Sequence, residues 1–174
     1  MTPSLRAVGF DERAIIAAID IDPDQEDYCG GKIDDIFDRM KASPPRQHPF
    51  VLVDGDEAVA FIVAREGAAL PVWAEKGCMS LHNLRVDRRF QGRGYGKSAM
   101  RLAGQWMMAE RPAVTHVMSS VNIDNLPALR LNLACGMTPT GAIVEGRLGR
   151  ERIMIAPVER LASDHTASIS TRSL

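Results

Sequence analysis

Apolar positions along this chain follow two spacings, and their alternation predicts helices interleaved with strands. Leu5 to Phe10 reads as a short strand. Asp11 can cap a helix running to Ile19, with Ala14, Ile15, Ala18 and Ile19 as its apolar face. Asp20 to Gly31 breaks the pattern at Pro23 and at the Gly30-Gly31 pair, so it reads as a loop. A second helix is predicted from Lys32 to Met40, burying Ile33, Ile36, Phe37 and Met40, and Ser43-Pro44-Pro45 stops it. Two apolar runs follow, Phe50 to Val53 and Ala58 to Ala64. They flank Asp54-Gly55-Asp56-Glu57, and a DG turn between such runs signals a hairpin.

After the looser stretch Glu66 to Gly77, Met79 to Val86 reads as a strand and Asp87 to Gly96 as a polar, glycine-rich loop. Lys97 to Ala109 places Met100, Ala103, Gln105, Trp106 and Met107 in helical register, and Pro112 ends it. Val114 to Val121 is a strand. Asn125 to Ala134 is a short helix with Pro127 in its first turn and Cys135-Gly136 beyond its last. Met137 to Val144 and Arg152 to Pro157 are the final strands. This order predicts the α/β (α+β) class with a single sheet. One domain is expected over residues 1–161, followed by a Ser- and Thr-rich polar tail at 162–174.

Bulk composition narrows the chemistry. The chain has 174 residues, 45% of them hydrophobic and 25% charged, which suits one globular core. Its net charge of -1 provides no general field for nucleic acid. Cys29, Cys78 and Cys135 have no paired spacing, so neither a metal knuckle nor a disulfide framework is expected. No apolar run approaches a membrane span or a leader, and a cytoplasmic setting is expected.

The chemically informative segment is Val86-Asp87-Arg88-Arg89-Phe90-Gln91-Gly92-Arg93-Gly94-Tyr95-Gly96-Lys97. Glycines let a backbone approach an anion closely, and a helix N-terminus adds inward N–H groups and partial positive charge. Arg88, Arg89, Arg93 and Lys97 add positive potential, so a diphosphate is the natural guest. A P-loop fails here by one residue, because its first glycine would fall at Gln91. A dinucleotide fingerprint fails because the spacing is GxGxG and charged residues separate it from the strand.

Gln91, Gly94 and Gly96 match the [RQ]-x-x-G-x-[GA] loop that follows a strand ending in valine, here Val86. Downstream, Asn125-x-x-Ala128-x-x-Leu131 with Cys135-Gly136-Met137 matches N-x-x-A-x-x-L-Y-x-x-x-G-F, with Asn132 in the tyrosine position. On these motifs the chain resembles the GCN5-related N-acetyltransferase (GNAT) family over Met79 to about Met154. The resemblance implies a mixed, mostly antiparallel sheet flanked by helices, whose central strands splay to admit acetyl-CoA. It implies that the pyrophosphate rests on backbone amides of Gln91, Arg93, Gly94, Gly96 and Lys97. The pantetheine arm would pair with Leu84 and Val86, and Asn125 would contact the arm, although Asn125 suits a helix cap equally.

The implied reaction is acetyl transfer to an amine. His82 is a candidate base if no bulge breaks its parity with Leu84 and Val86; otherwise it is a surface or core histidine. Ser119 and Ser120 can line the cleft or simply pack, and Glu151 can face the acceptor or solvent. Asn132 carries no titratable proton where the family usually has an acid. The acidic stretch Asp20 to Asp27 would draw a cationic small-molecule amine. Pro23-Asp24-Gln25, Thr140-Gly141 and Glu151 resemble bacterial diamine and spermidine N-acetyltransferases, with Ala142 departing from that pattern. An aminoglycoside, a protein N-terminus, a non-catalytic acyl-CoA-binding role and a homodimer all stay open.

Overall fold

The computed structural model describes residues 2–43 and 45–164, so the tail from 165 onward lies outside the described residues. Seven strands among the described residues form one sheet: β1 Ser4–Ala7, β2 Gln47–Asp54, β3 Glu57–Glu66, β4 Met79–Val86, β5 His116–Asn122, β6 Thr138–Gly146 and β7 Gly149–Pro157. Their spatial order is β1-β2-β3-β4-β5-β7-β6, and every pairing is antiparallel except β4 with β5. Among the described residues six α-helices accompany them: α1 Arg13–Ala17, α2 Pro23–Glu26, α3 Ile33–Ala42, α4 Tyr95–Glu110, α5 Leu126–Ala134 and α6 Val158–Ala162. The predicted hairpin is present: Asp54 pairs with Glu57 across a two-residue turn in which Gly55 takes φ 61°.

Side chains alternate along the central strands and divide the core in two. Ala60, Ile62 and Ala64 of β3 face α4, where Met100, Ala103 and Met107 are buried. Phe61 and Val63 face the other way, onto Ile16 of α1 and Ile36 and Phe37 of α3. Each large apolar side chain sequestered this way contributes on the order of 1.5–3 kcal/mol. On the α3 face beyond β4, Cys78, Met118 and Ile153 are covered by Leu70 and Trp73 from the β3–β4 connection.

Two sequence expectations are corrected, and one helix adds to them. The first helix is shorter, a 3₁₀ turn at Phe10–Glu12 followed by α1, and it buries Ile16 and Ile19 rather than Ala14 and Ala18. The stretch read as a loop contains α2, one turn begun by Pro23. The helix α6 follows β7 directly and packs on α4, where a Cβ on Gly104 would lie 2.8 Å from the Ala162 backbone nitrogen.

The central seam positions the site. β4 and β5 share only two register pairs, Met79 with Val117 and Ser80 with Met118, and then separate. The splay expected of the central strands is therefore present.

Candidate active site

The separation of β4 from β5 opens a cavity of about 750 Å³. Its floor is the outer half of β4 and β5. Its walls come from the N-terminal ends of α4 and α5, from α2 and the loop after it, and from the β6–β7 turn.

At one end lies the glycine loop. Gly92 and Gly94 take φ 76° and 85°, a region that side-chain-bearing residues adopt at a cost. Gly94 caps α4 without a side-chain hydrogen bond, at the helix end where N–H groups are in excess. Gly94, Gly96 and Lys97 line the cavity. Such an array of amides and a helix dipole is an anion site, and the loop fits a diphosphate. Gly96 has a second reason: a Cβ there would lie 3.1 Å from Leu131 of α5. Arg93 is not among the cavity-lining residues; its guanidinium lies 5.4 Å from the Phe90 ring centroid.

Asp87 shapes the turn into this loop and gave no functional signal in the sequence. Its buried carboxylate accepts from the Asp20 N–H at 3.2 Å and from the Arg89 N–H at 2.9 Å. The Arg89 side chain bonds it as well and holds the carboxyl below its usual range.

The middle of the cavity is the free edge of β4. The Asp87 N–H donates to the Val59 carbonyl at 3.0 Å, so by antiparallel alternation the Val86 N–H and C=O point to the open side. The Gln91 side chain donates to the Val86 carbonyl at 3.0 Å and to Gln25 of α2 at 2.8 Å. An extended ligand carrying amides can pair with this edge as an added strand, which fits a pantetheine arm. Leu84, packed on the α4 side, also lines the cavity.

On the α4 face, Ser119 donates to the Asn132 Oδ1 at 2.6 Å, and the Asn132 Nδ2 donates to the Ala128 carbonyl at 2.8 Å. Both side chains border the cavity and both are buried. Asn125 accepts from the Ala128 N–H at 3.2 Å, so its capping role is present alongside its position in the cavity wall. Tyr95 donates its hydroxyl to Asp54 at 2.5 Å, which raises its pKa and aims the proton away from the reaction.

The parity expected for His82 does not hold. Asn83 takes φ 56° and the β3–β4 register slips there, so His82 opposes Val63 while Val86 opposes Ala60. This bulge turns His82 to the α3 face, away from the face of Leu84 and Val86. Its Nε2 lies 2.8 Å from the Ser80 hydroxyl. Burial, reinforced by Arg65, pushes it down to about 3, a poor match for a base working near neutrality.

Cross-strand register brings other groups to that face. Glu151 opposes Asn122 and Ser120 opposes Ile153, and all but Ile153 line the cavity. Asp24, Asp27 and Tyr28 stand opposite them on α2 and the segment after it. Arg147, in the β6–β7 turn, reaches over to Asp27 with an Nη2–Oδ1 distance of 3.1 Å. Thr140 and Gly141, part of the pattern that pointed to polyamines, lie on the exposed edge strand and outside the cavity lining. Among the described residues no cluster of His, Cys, Asp and Glu could hold a metal ion, and no helix is long and apolar enough to cross a membrane.

No curated protein matches the sequence. Solved structures match the fold. An aminoglycoside acetyltransferase, AAC(6')-Ib, solved with coenzyme A superposes at a TM-score of 0.74 with 16% identity, covering 91% of this chain and 96% of that one. An acetyltransferase from Thermus thermophilus gives 0.67 and 21%, covering 90% and 97%. A spermidine N-acetyltransferase SpeG chimera from Vibrio cholerae and hSSAT gives 0.68 and 14%, covering 92% and 98%. A sequence model described as "Acetyltransferase (GNAT) family" matches residues 13–137. With that match laid over the glycine loop and the parted strands, the chain belongs to the GNAT acetyltransferase family, and its co-substrate is acetyl-CoA.

Proposed function

We propose that this acetyltransferase modifies the primary amine of a small cationic molecule. One observation carries the reading. The cavity is also walled by Asp24, Asp27 and Glu151, and Asp24 and Glu151 form no ion pair among the described residues. Carboxylates concentrated at a cleft mouth raise the local concentration of a cation. The names of the fold relatives, which include aminoglycoside and spermidine acetyltransferases, agree with an amine acceptor. Spermidine itself is one member of that class.

Acetyl-CoA supplies the activated acetyl group; the chain supplies position and proton handling. Amides of Gln91, Gly94, Gly96 and Lys97 hold the diphosphate, and the β4 edge at Leu84 and Val86 aligns the arm. The Val86 N–H is the donor available to a carbonyl oxygen as it gains charge. Glu151, on the acceptor face, takes the proton from the amine directly or through one water. Asn132 and Ser119 are committed to each other and to the Ala128 carbonyl, and the Tyr95 proton is held by Asp54. Neither Tyr95 nor Asn132 is free to protonate the leaving sulfur, and coenzyme A can depart as its thiolate.

The test is thiol release from acetyl-CoA with spermidine, putrescine, kanamycin, free amino acids and a short peptide. Turnover of a small amine supports the reading. Turnover of the peptide alone, or failure of acetyl-CoA to bind by calorimetry, overturns it. Glu151→Gln is expected to lower kcat by roughly 10²-fold or more.

A further inference from the structure

Arg85 stands on β4 opposite Phe61, so its side chain projects to the α3 face at the acceptor end of the cavity. It is 3% exposed. Its Nη2 donates to the Cys29 carbonyl at 3.1 Å and to the Gly31 carbonyl at 2.9 Å. Its Nε is buried with no partner. Beside it, the Asn83 Nδ2 donates to the Cys29 carbonyl at 3.1 Å, while the Asn83 Oδ1 is a second buried orphan. Arg85 forms no ion pair among the described residues, although the chain carries 22 acidic side chains.

Glu26 acts on this guanidinium only at a distance, and a guanidinium taken out of water without a carboxylate in contact is costly. Bracing two carbonyls calls for N–H donors and no charge, so bracing alone leaves the charge unexplained. A carboxylate is the complement that a planar guanidinium fork meets best. The cavity is the side from which one can arrive.

We infer that Arg85 is the seat for a carboxylate on the acceptor, so that the substrate is an amine carrying its own anion, a small amino acid or close relative. This rests on the acetyltransferase reading and narrows it. The acidic wall of Asp24 and Glu151 receives the ammonium end and Arg85 receives the carboxylate end. A polyamine satisfies the first and leaves the second empty.

The experiment compares pairs that differ by the carboxylate alone: lysine with cadaverine, ornithine with putrescine, arginine with agmatine and alanine with ethylamine. Thiol release is followed at saturating acetyl-CoA. In at least one pair the amino acid is expected to exceed its decarboxylated partner in kcat/KM by about 30-fold or more. Arg85→Gln is expected to erase that preference mainly through KM, and Arg85→Lys to restore part of it. The wild-type comparison stands even if Arg85→Gln loosens the 29–31 segment. If every decarboxylated amine is turned over as well as its amino acid, the carboxylate seat is overturned and the acetyltransferase reading survives. If no amine of either kind is turned over, the activity reading fails, and the seat is then judged by ligand protection. N-acetyl amino acids should raise the Tm of the wild-type coenzyme A complex and leave the Arg85→Gln complex unmoved; equal shifts, or none, overturn it.

Discussion

Asn132 shows how one side chain can occupy a catalytic position while doing structural work. Its amide accepts from Ser119 and closes onto the Ala128 carbonyl, so both ends are used. Asn132→Ala strands a buried serine hydroxyl, and a loss of about 1–3 kcal/mol in urea unfolding is expected. The same variant should keep the shape of its kcat against pH profile, since no titrating group is removed. His82 makes a complementary case. Its folded pKa lies near 3, below the ordinary 6.5, so the unfolded chain binds more protons between those values. Stability attributable to His82 is whole above pH 6.5 and drains away as pH falls towards 3. The loss approaches about 2 kcal/mol by pH 5. His82→Gln should show a shallower fall in Tm between pH 7 and pH 5 than the wild type.

Elements with a clear apolar period were legible in the sequence, and those held by tertiary contact were not. The α3 helix, with Ile33, Ile36, Phe37 and Met40 all buried, and the Asp54–Glu57 hairpin follow from spacing and turn chemistry. The glycine loop was legible because an anion site needs glycines and a helix start in sequence. A four-residue helix such as α2 is too short to show a period. Its place is set by Gln91 bonding Gln25 and by Arg88 bonding Asp20, contacts across long sequence separations. The bulge at Asn83 was illegible for the same reason. Its side chain is anchored on the Cys29 carbonyl, and a single inserted residue reversed the expected face of His82. Arg85 went unread because the carbonyls it binds, Cys29 and Gly31, lie 56 and 54 residues away in sequence. The α4–α6 contact yields a further expectation. Gly104→Ala drives a methyl into the Ala162 backbone, which cannot move aside as a flexible side-chain end would. A cost of about 1–3 kcal/mol is expected, read as a lowered Tm.

Across the molecule, the cofactor loop and the acceptor wall are tied at three places: Asp87 to Asp20, Arg88 to Asp20, and Gln91 to Gln25. The β6–β7 turn closes the far side through Arg147 and Asp27. These few polar bonds are where coupling between loop and wall is expected to show. Gln91→Ala retains the loop amides but unties α2, so acceptor KM should rise several-fold while calorimetry shows acetyl-CoA affinity changed less. Beneath these ties lies the short seam between β4 and β5, only two register pairs long. Seen as an isotope clock, the parted strands should run at two speeds. In heavy water the Asp87 amide, bonded to Val59, should exchange slowly, while its neighbour Val86 exchanges as a bare edge until acetyl-CoA arrives and stops it.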